Sequence, residues 1–223
     1  MALPSTARIY DYLLGGHENY KVDREAAKNM VAAVPDSPTA VRSNRAFLYR
    51  AVRYLVGEAG ITQFIDIGSG LPTQLNVHQV AHSMRPDTHV VYVDYDPLVN
   101  AFGNALLSTT DTVSFARRDL RLPGEVLGDP QVRKLIDFDQ PVAVLLIAML
   151  QFIDEDEDPN GIVAQLVDAL PSAATSPYPT SWTTRAPAPS PKSSSAPTPT
   201  PGHPGPPTGS GASSTGSNSS SPA

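Results

Sequence analysis

The chain has 223 residues with 16 basic and 22 acidic side chains, a net charge of −6, 23 prolines and no cysteine. The lack of cysteine excludes disulfides and thiolate metal sites, and the acidic balance argues against broad electrostatic attraction to nucleic acid or an anionic membrane. No run approaches the ~18 apolar residues that span a bilayer, and MALPSTARIYDYLLGG has no basic head followed by an apolar stretch, so a soluble, cytoplasmic protein is expected.

In chain order, Ile9, Leu13 and Leu14 with Tyr10 and Tyr12 predict a short helix stopped by Gly15-Gly16. Asp23 opens a second helix that ends at Val34-Pro35. Thr39 or Ser43 opens a third, running to about Ala59 and carrying Ala46, Phe47, Tyr49, Val52, Leu55 and Val56. From Gln63 the pattern changes to short apolar runs alternating with helical stretches, the signature of βαβ units and a parallel sheet. Strands are expected at residues 64–67, 89–93, 112–115 and 142–150, with helices at 73–84 and 97–108 between the first three. The acidic run Asp154-Glu155-Asp156-Glu157-Asp158 then precedes a helix over residues 160–170, where its carboxylates favour the helix N-terminus.

Residues 1–172 hold 14 basic and 22 acidic side chains, a net charge of −8, whereas the last 51 residues hold 12 of the 23 prolines and only Arg185 and Lys192 as charges. A segment so rich in Ser, Pro, Thr, Gly and Ala cannot bury enough surface to offset its ordering entropy, so residues 173–223 are expected to be disordered. The organisation expected is a helical cap over 1–60, an α/β core over 61–172 and this tail.

The chemistry concentrates at Phe64-Ile65-Asp66-Ile67-Gly68-Ser69-Gly70-Leu71-Pro72-Thr73, a strand entering a Gly-x-Gly turn and then a helix. Glycines there remove the Cβ atoms that block close approach, and the helix start offers free N–H groups to a polar ligand. Asp94 ends the second strand within Val93-Asp94-Tyr95-Asp96-Pro97, where an acid binds ribose hydroxyls. The third glycine of a pyrophosphate-binding loop is replaced by Thr73, which fits a nucleoside cofactor without pyrophosphate, such as S-adenosylmethionine. Asp119, after the third strand, is placed to meet an adenine amino group. Taken singly, each has a plainer reading: a tight turn at Gly68 and Gly70, a helix cap at Asp94 or Asp96, a solvated loop at Asp119.

Four stretches together resemble the actinobacterial-type S-adenosyl methyltransferases, a former domain of unknown function, over about residues 4–172. They are Ala7-Arg8-Ile9-Tyr10-Asp11-Tyr12-Leu13-Leu14-Gly15-Gly16, Asp23-Arg24-Glu25-Ala26, Arg42-Ser43-Asn44-Arg45-Ala46-Phe47, and Asp66 through Thr73. The resemblance implies a Rossmann-like methyltransferase sheet with an N-terminal helical cap. It implies that Asp66, Gly68 and Gly70 lie near the methionine part of the cofactor, Asp94 on the ribose, and Asp119 with Leu120 beside adenine. Ser69, Thr73 and Asp96 complete the expected cofactor set. Tyr10, Tyr12, Asn19, Asp23, Arg42, Asn44 and Gln151 are expected around the substrate or in a lid. Gln151 stands where such proteins are expected to carry histidine; an amide orients a substrate but is no general base near neutral pH.

The function expected is methyl transfer from S-adenosylmethionine to a small-molecule acceptor, by alignment and electrostatics rather than a catalytic triad, with no nucleic acid or membrane partner. No catalytic base is named, and the sequence carries no signal of oligomeric state or of the acceptor. The alternatives are a non-catalytic nucleoside-binding or interaction module and, behind it, an NAD-dependent oxidoreductase. The resemblance implies seven strands where four are found, and the abrupt change at Ser172-Ala173 is what a shifted reading frame produces, with an inactive, truncated form as its consequence. His78 and His82 lie four apart, but without neighbouring acidic ligands a satisfied or surface pair is preferred to a metal site, and none is expected. The 154–158 run lacks the spacing of a calcium loop. Tyr10, Tyr12 and Tyr20 are readable as a substrate cage, though helix packing explains the first two equally well.

Overall fold

The computed structural model describes residues 3–72, 76–107 and 110–171; Thr73 and the tail expected to be disordered, 173–223, lie outside the described residues. Three helices come first, α1 (Thr6–Leu13), α2 (Lys21–Ala33) and α3 (Ser37–Gly57). The stop after α1 is the paired bonding of a Schellman end: Gly15, at φ +82°, donates to Tyr12 O, and Gly16 donates to Asp11 O. A Cβ at Gly16 would fall on the Asp11 carboxylate, so the two glycines are needed for different reasons. Helix α2 begins two residues before Asp23, which sits within the first turn and accepts from the Tyr20 N–H at 2.9 Å, closing a capping box. Helix α3 starts at Ser37 rather than Thr39 or Ser43, because Pro38 suits a first helical turn, where no N–H is required.

The sheet comprises β1 (Gln63–Ile67), β2 (His89–Asp94), β3 (Val113–Arg117) and β4 (Ala143–Leu145) in the order β3-β2-β1-β4, every pairing parallel. Helices α4 (Val77–His82), α5 (Pro97–Leu107), α6 (Pro123–Gly128), α7 (Pro130–Leu135) and α8 (Pro159–Asp168) follow, with single 3-10 turns at Leu150–Phe152 and Glu155–Glu157. Strand side chains alternate between two cores. Phe64, Val90 and Phe115 pack with Leu48, Val52 and Val56 of α3 and Val77 and Val80 of α4. Ile65, Ile67, Val91 and Val93 pack on the other face with Val126, Val132, Ile162 and Leu166 from α6, α7 and α8. Coverage on both faces explains why the strands read as nearly unbroken apolar runs. Each fully buried Val, Ile or Phe contributes roughly 1.5–3 kcal/mol of transfer free energy.

Two further expectations change. Helices α6 and α7 were not expected; each has six residues and opens with proline, too short for a helical period to show. The fourth strand spans three residues instead of 142–150. It pairs Phe64 with Ala143 and Asp66 with Leu145, and one residue after Asp66 the neighbouring β1 ends and turns at Gly68, so β4 loses its partner. The apolar run continues as a loop in which Ile147 packs on one core and Leu146 and Met149 on the other, with Ala148 at φ +57°. Apolarity here records burial, not pairing.

Candidate adenosyl site at the carboxyl edge of the sheet

Strands β1, β2 and β3 follow one another to one side, and β4 lies on the other side of β1, so connections diverge between β1 and β4. Ligands of open α/β sheets bind at such a divergence, beyond the carboxyl ends of the strands. The glycine turn is located there. Gly68 and Gly70 have φ +73° and +65°, a region that L side chains rarely adopt, and the Gly68 N–H donates to Val93 O at 2.7 Å. A Cβ on Gly68 would also overlap the Met149 side chain from the loop after β4, so this glycine permits a close approach of loop to turn.

Asp94, at the end of β2, closes the turn from the other side. Its Oδ2 accepts from the Gly70 N–H at 2.9 Å and its Oδ1 from the Asp96 N–H at 3.0 Å. Burial raises its pKa and the charge of Asp96 adds to this, against the N–H donors of Asp96, Gly70 and Tyr95. Asp96 caps α5 by accepting from the Leu98 N–H at 2.8 Å. Each carboxylate oxygen has lone pairs beyond the one these amides use.

Asp66, one strand over, is buried, and its carboxyl is pushed up to about 7 by that burial, with Arg45 opposing and Asp94 adding. The Ser69 hydroxyl is buried without a partner among the described residues. Asp66, Ser69, Gly70, Arg45, Asn76 and Tyr92 line a cavity of about 10 Å³, room for about one water. Beneath it the Tyr92 hydroxyl accepts from the His78 N–H at 2.9 Å and lies 2.8 Å from His78 Nδ1, while His82 Nε2 lies 2.8 Å from Thr88 O. Burial, aided by His82, lowers the His78 pKa to about 4, so this ring is neutral at pH 7. Both imidazoles thus have protein partners.

The other expected residues separate into groups. Tyr10 donates to Val41 O at 3.3 Å and bonds Asn44, and its pKa is raised by burial despite Arg45 and Asn44, so Arg45 links this pair to Asp66. Asn19 donates to Asp11 and to Gly16 O, each at 2.9 Å, bracing the turn after α1. Asp23 has no exposed surface: burial alone would raise its pKa, but Arg8 at 2.7 Å and the N–H groups of Ser5 and Tyr20 hold it below the usual range. Arg42 is exposed with a 3.4 Å contact to Thr39, Tyr12 is half-buried on α1, and Gln151 is exposed in the turn at Leu150–Phe152. Asp119 is paired with Arg121 at 3.1 Å, which also binds Glu157, and Leu120 is buried. The sequence reading left out Arg45, Tyr92 and Met149. Arg45 lies inside the Arg42–Phe47 stretch that carried the resemblance; the other two had no signal but apolarity.

A parallel sheet with an outlying β4, a glycine turn after β1 and an acid ending β2 is the nucleoside-binding arrangement of a Rossmann-like methyltransferase fold. The chain belongs to the S-adenosyl methyltransferase family, whose sequence model matches residues 1–192, and S-adenosylmethionine is the cofactor of that family. It is similar to the crystal structure of a proposed methyltransferase from Thermobifida fusca YX, with TM-score 0.73 and 44% identity over 76% of this chain and 63% of that one. It is likewise similar to a DUF574 family protein from Streptomyces avermitilis MA-4680, with TM-score 0.73 and 40% identity over 76% of this chain and 65% of that one. The chain therefore spans less than two thirds of the length of either solved relative. No curated protein matches it.

Proposed function

We propose that the protein binds S-adenosylmethionine at the β1–β2 edge and transfers its methyl group to a small-molecule acceptor. The observation that carries this reading is the bond from the Gly70 N–H to Asp94 Oδ2, which joins the glycine turn and the ribose-type acid into one site. The donor set fits the cofactor: a buried Ser69 hydroxyl with no partner among the described residues, the buried carboxyl of Asp66, and acceptor capacity left on Asp94. When bound, the cofactor supplies an electrophilic methyl group on a sulfonium.

The chain's own residues do the rest. Asp94 and Asp96 offer acceptors for ribose hydroxyls, and Gly68, Ser69 and Gly70 offer close-approaching backbone. Asp66, neutral or charged near pH 7, favours its charged form when a cationic group comes near. Met149, packed on Gly68, brings the loop after β4 against the glycine turn. Arg45 lines the same cavity from the helical segment and acts electrostatically on Tyr10, which bonds Asn44; these three are the residues to which an acceptor would be presented.

Titration calorimetry with S-adenosylmethionine and, in parallel, NAD tests this. Saturable binding of the first and not the second is expected, weakened at least tenfold in Asp94→Ala. Preference for NAD, or undiminished binding by the variant, would remove the assignment. Release of S-adenosylhomocysteine across a panel of small nucleophiles then reports turnover.

A further inference from the structure

Ser5 stands at the N-cap of α1, where a serine hydroxyl ordinarily accepts a bond from its own helix. It makes no such bond. Its hydroxyl donates instead to Asp96 Oδ2 at 3.1 Å, 91 residues along the chain. The segment that carries it is held on both sides: Arg8 donates to Leu3 O at 2.8 Å, and the Ser5 N–H donates to Asp23 Oδ1 at 2.9 Å. Asp23 is itself fixed by Arg8 and the Tyr20 N–H, in a position with no exposed surface.

These bonds join end to end. Arg8 holds Asp23, Asp23 holds Ser5, Ser5 holds Asp96, the Asp96 N–H holds Asp94 Oδ1, and Asp94 Oδ2 holds the Gly70 N–H. We propose that Ser5 is a positioning residue of the adenosyl site, fixing through Asp96 the carboxylate of Asp94, so that docking of the N-terminal helix and binding of the cofactor strengthen each other. The inference rests on the function proposed above and reassigns Asp23: it serves the site from behind, through Ser5, and meets no substrate. The reason for a serine at this position is its hydroxyl hydrogen. Two carboxylates two residues apart, Asp94 and Asp96, repel each other, and a donor on Oδ2 of Asp96 partly offsets that carboxylate's charge, easing the repulsion while fixing the turn between them. Reciprocity follows from linkage: whatever Ser5 adds to cofactor affinity, the cofactor adds to the docking of α1.

The test uses the full chain and its Ser5→Ala, Ser5→Thr, Asp96→Ala and Ser5→Ala/Asp96→Ala variants, with S-adenosylmethionine as the probe. A hydroxyl bond to a carboxylate predicts that Ser5→Ala weakens binding about three- to tenfold, while Ser5→Thr, which keeps the donor, stays within about twofold of wild type. The double variant should bind no more weakly than Asp96→Ala alone, because Ser5 acts through Asp96. Amide exchange in α1 should slow on cofactor addition in the wild type and not in Ser5→Ala. Wild-type affinity in Ser5→Ala, additive losses in the double variant, or α1 exchange indifferent to the cofactor overturns the inference and leaves the proposed function standing. A merely structural role would lower the melting temperature of Ser5→Ala without altering the affinity of the folded protein. Failure of the wild type to bind the cofactor at all would overturn both.

Discussion

Replacing Asp66 by asparagine keeps the shape of the side chain and removes its titration. In the folded protein this carboxyl is raised from 3.8 to about 7 by burial, with Arg45 opposing and Asp94 adding. A folded-state value above the unfolded one means that the native state binds more protons between the two. The stability contributed by the neutral acid is therefore complete below about pH 4, falls as pH rises, and is gone above about pH 7. A shift of this size corresponds to something on the order of 4 kcal/mol. At pH 4 Asp66→Asn and the wild type should be of similar stability. The variant should gain steadily to pH 7 and keep a constant advantage above it. For a domain of this size, 4 kcal/mol is about 8–16 °C in melting temperature. Urea unfolding from pH 4 to 8, followed by circular dichroism, measures the difference directly, because all other groups titrate in both proteins. Parallel stability curves across that range would refute the reasoning by showing that Asp66 ionises without cost.

The two turn glycines should respond unequally to alanine. Gly70→Ala meets no atom of the described residues within 4 Å and should cost about 1–2 kcal/mol for its left-handed backbone alone. Gly68→Ala must also displace Met149 and should cost clearly more, as equilibrium unfolding of the two variants will show. Asp23→Ala leaves the Arg8 guanidinium buried without its carboxylate, which costs roughly 3–5 kcal/mol. Its melting temperature should fall by about 6–20 °C, an outcome a solvent-exposed substrate ligand would not give.

The strands β1 to β3 were legible because both their faces are buried and turn signals bound them. The same rule over-extended β4, since a loop that packs its side chains into two cores is as apolar as a strand. What stops it is the end of its partner at Gly68, a fact about pairing that no local window contains. Helices α6 and α7 escaped notice for the opposite reason, being too short to repeat. At the site, the spacing from Gly70 to Asp94 was readable because the strand–turn–helix grammar places both at one edge. The reach of Arg45 toward Asp66, and of Met149 over Gly68, depends on how separate elements pack, so nothing in the sequence around either residue announced it. Asp23 stood out as a charged residue in a distinctive stretch, and its charge is neutralised inside the helical segment by Arg8.

The phenol of Tyr92 has a consequence for the wall of the cleft. Helix α4 has six residues, far below the length at which a helix persists by itself, and its start needs partners for amides that its own turns leave over. One of those amides, on His78, is met by a hydroxyl projecting from the middle of the sheet. The point where this helix begins is thus tied to the strand beneath it, and a change at Tyr92 would be felt first at the start of the helix rather than within the sheet.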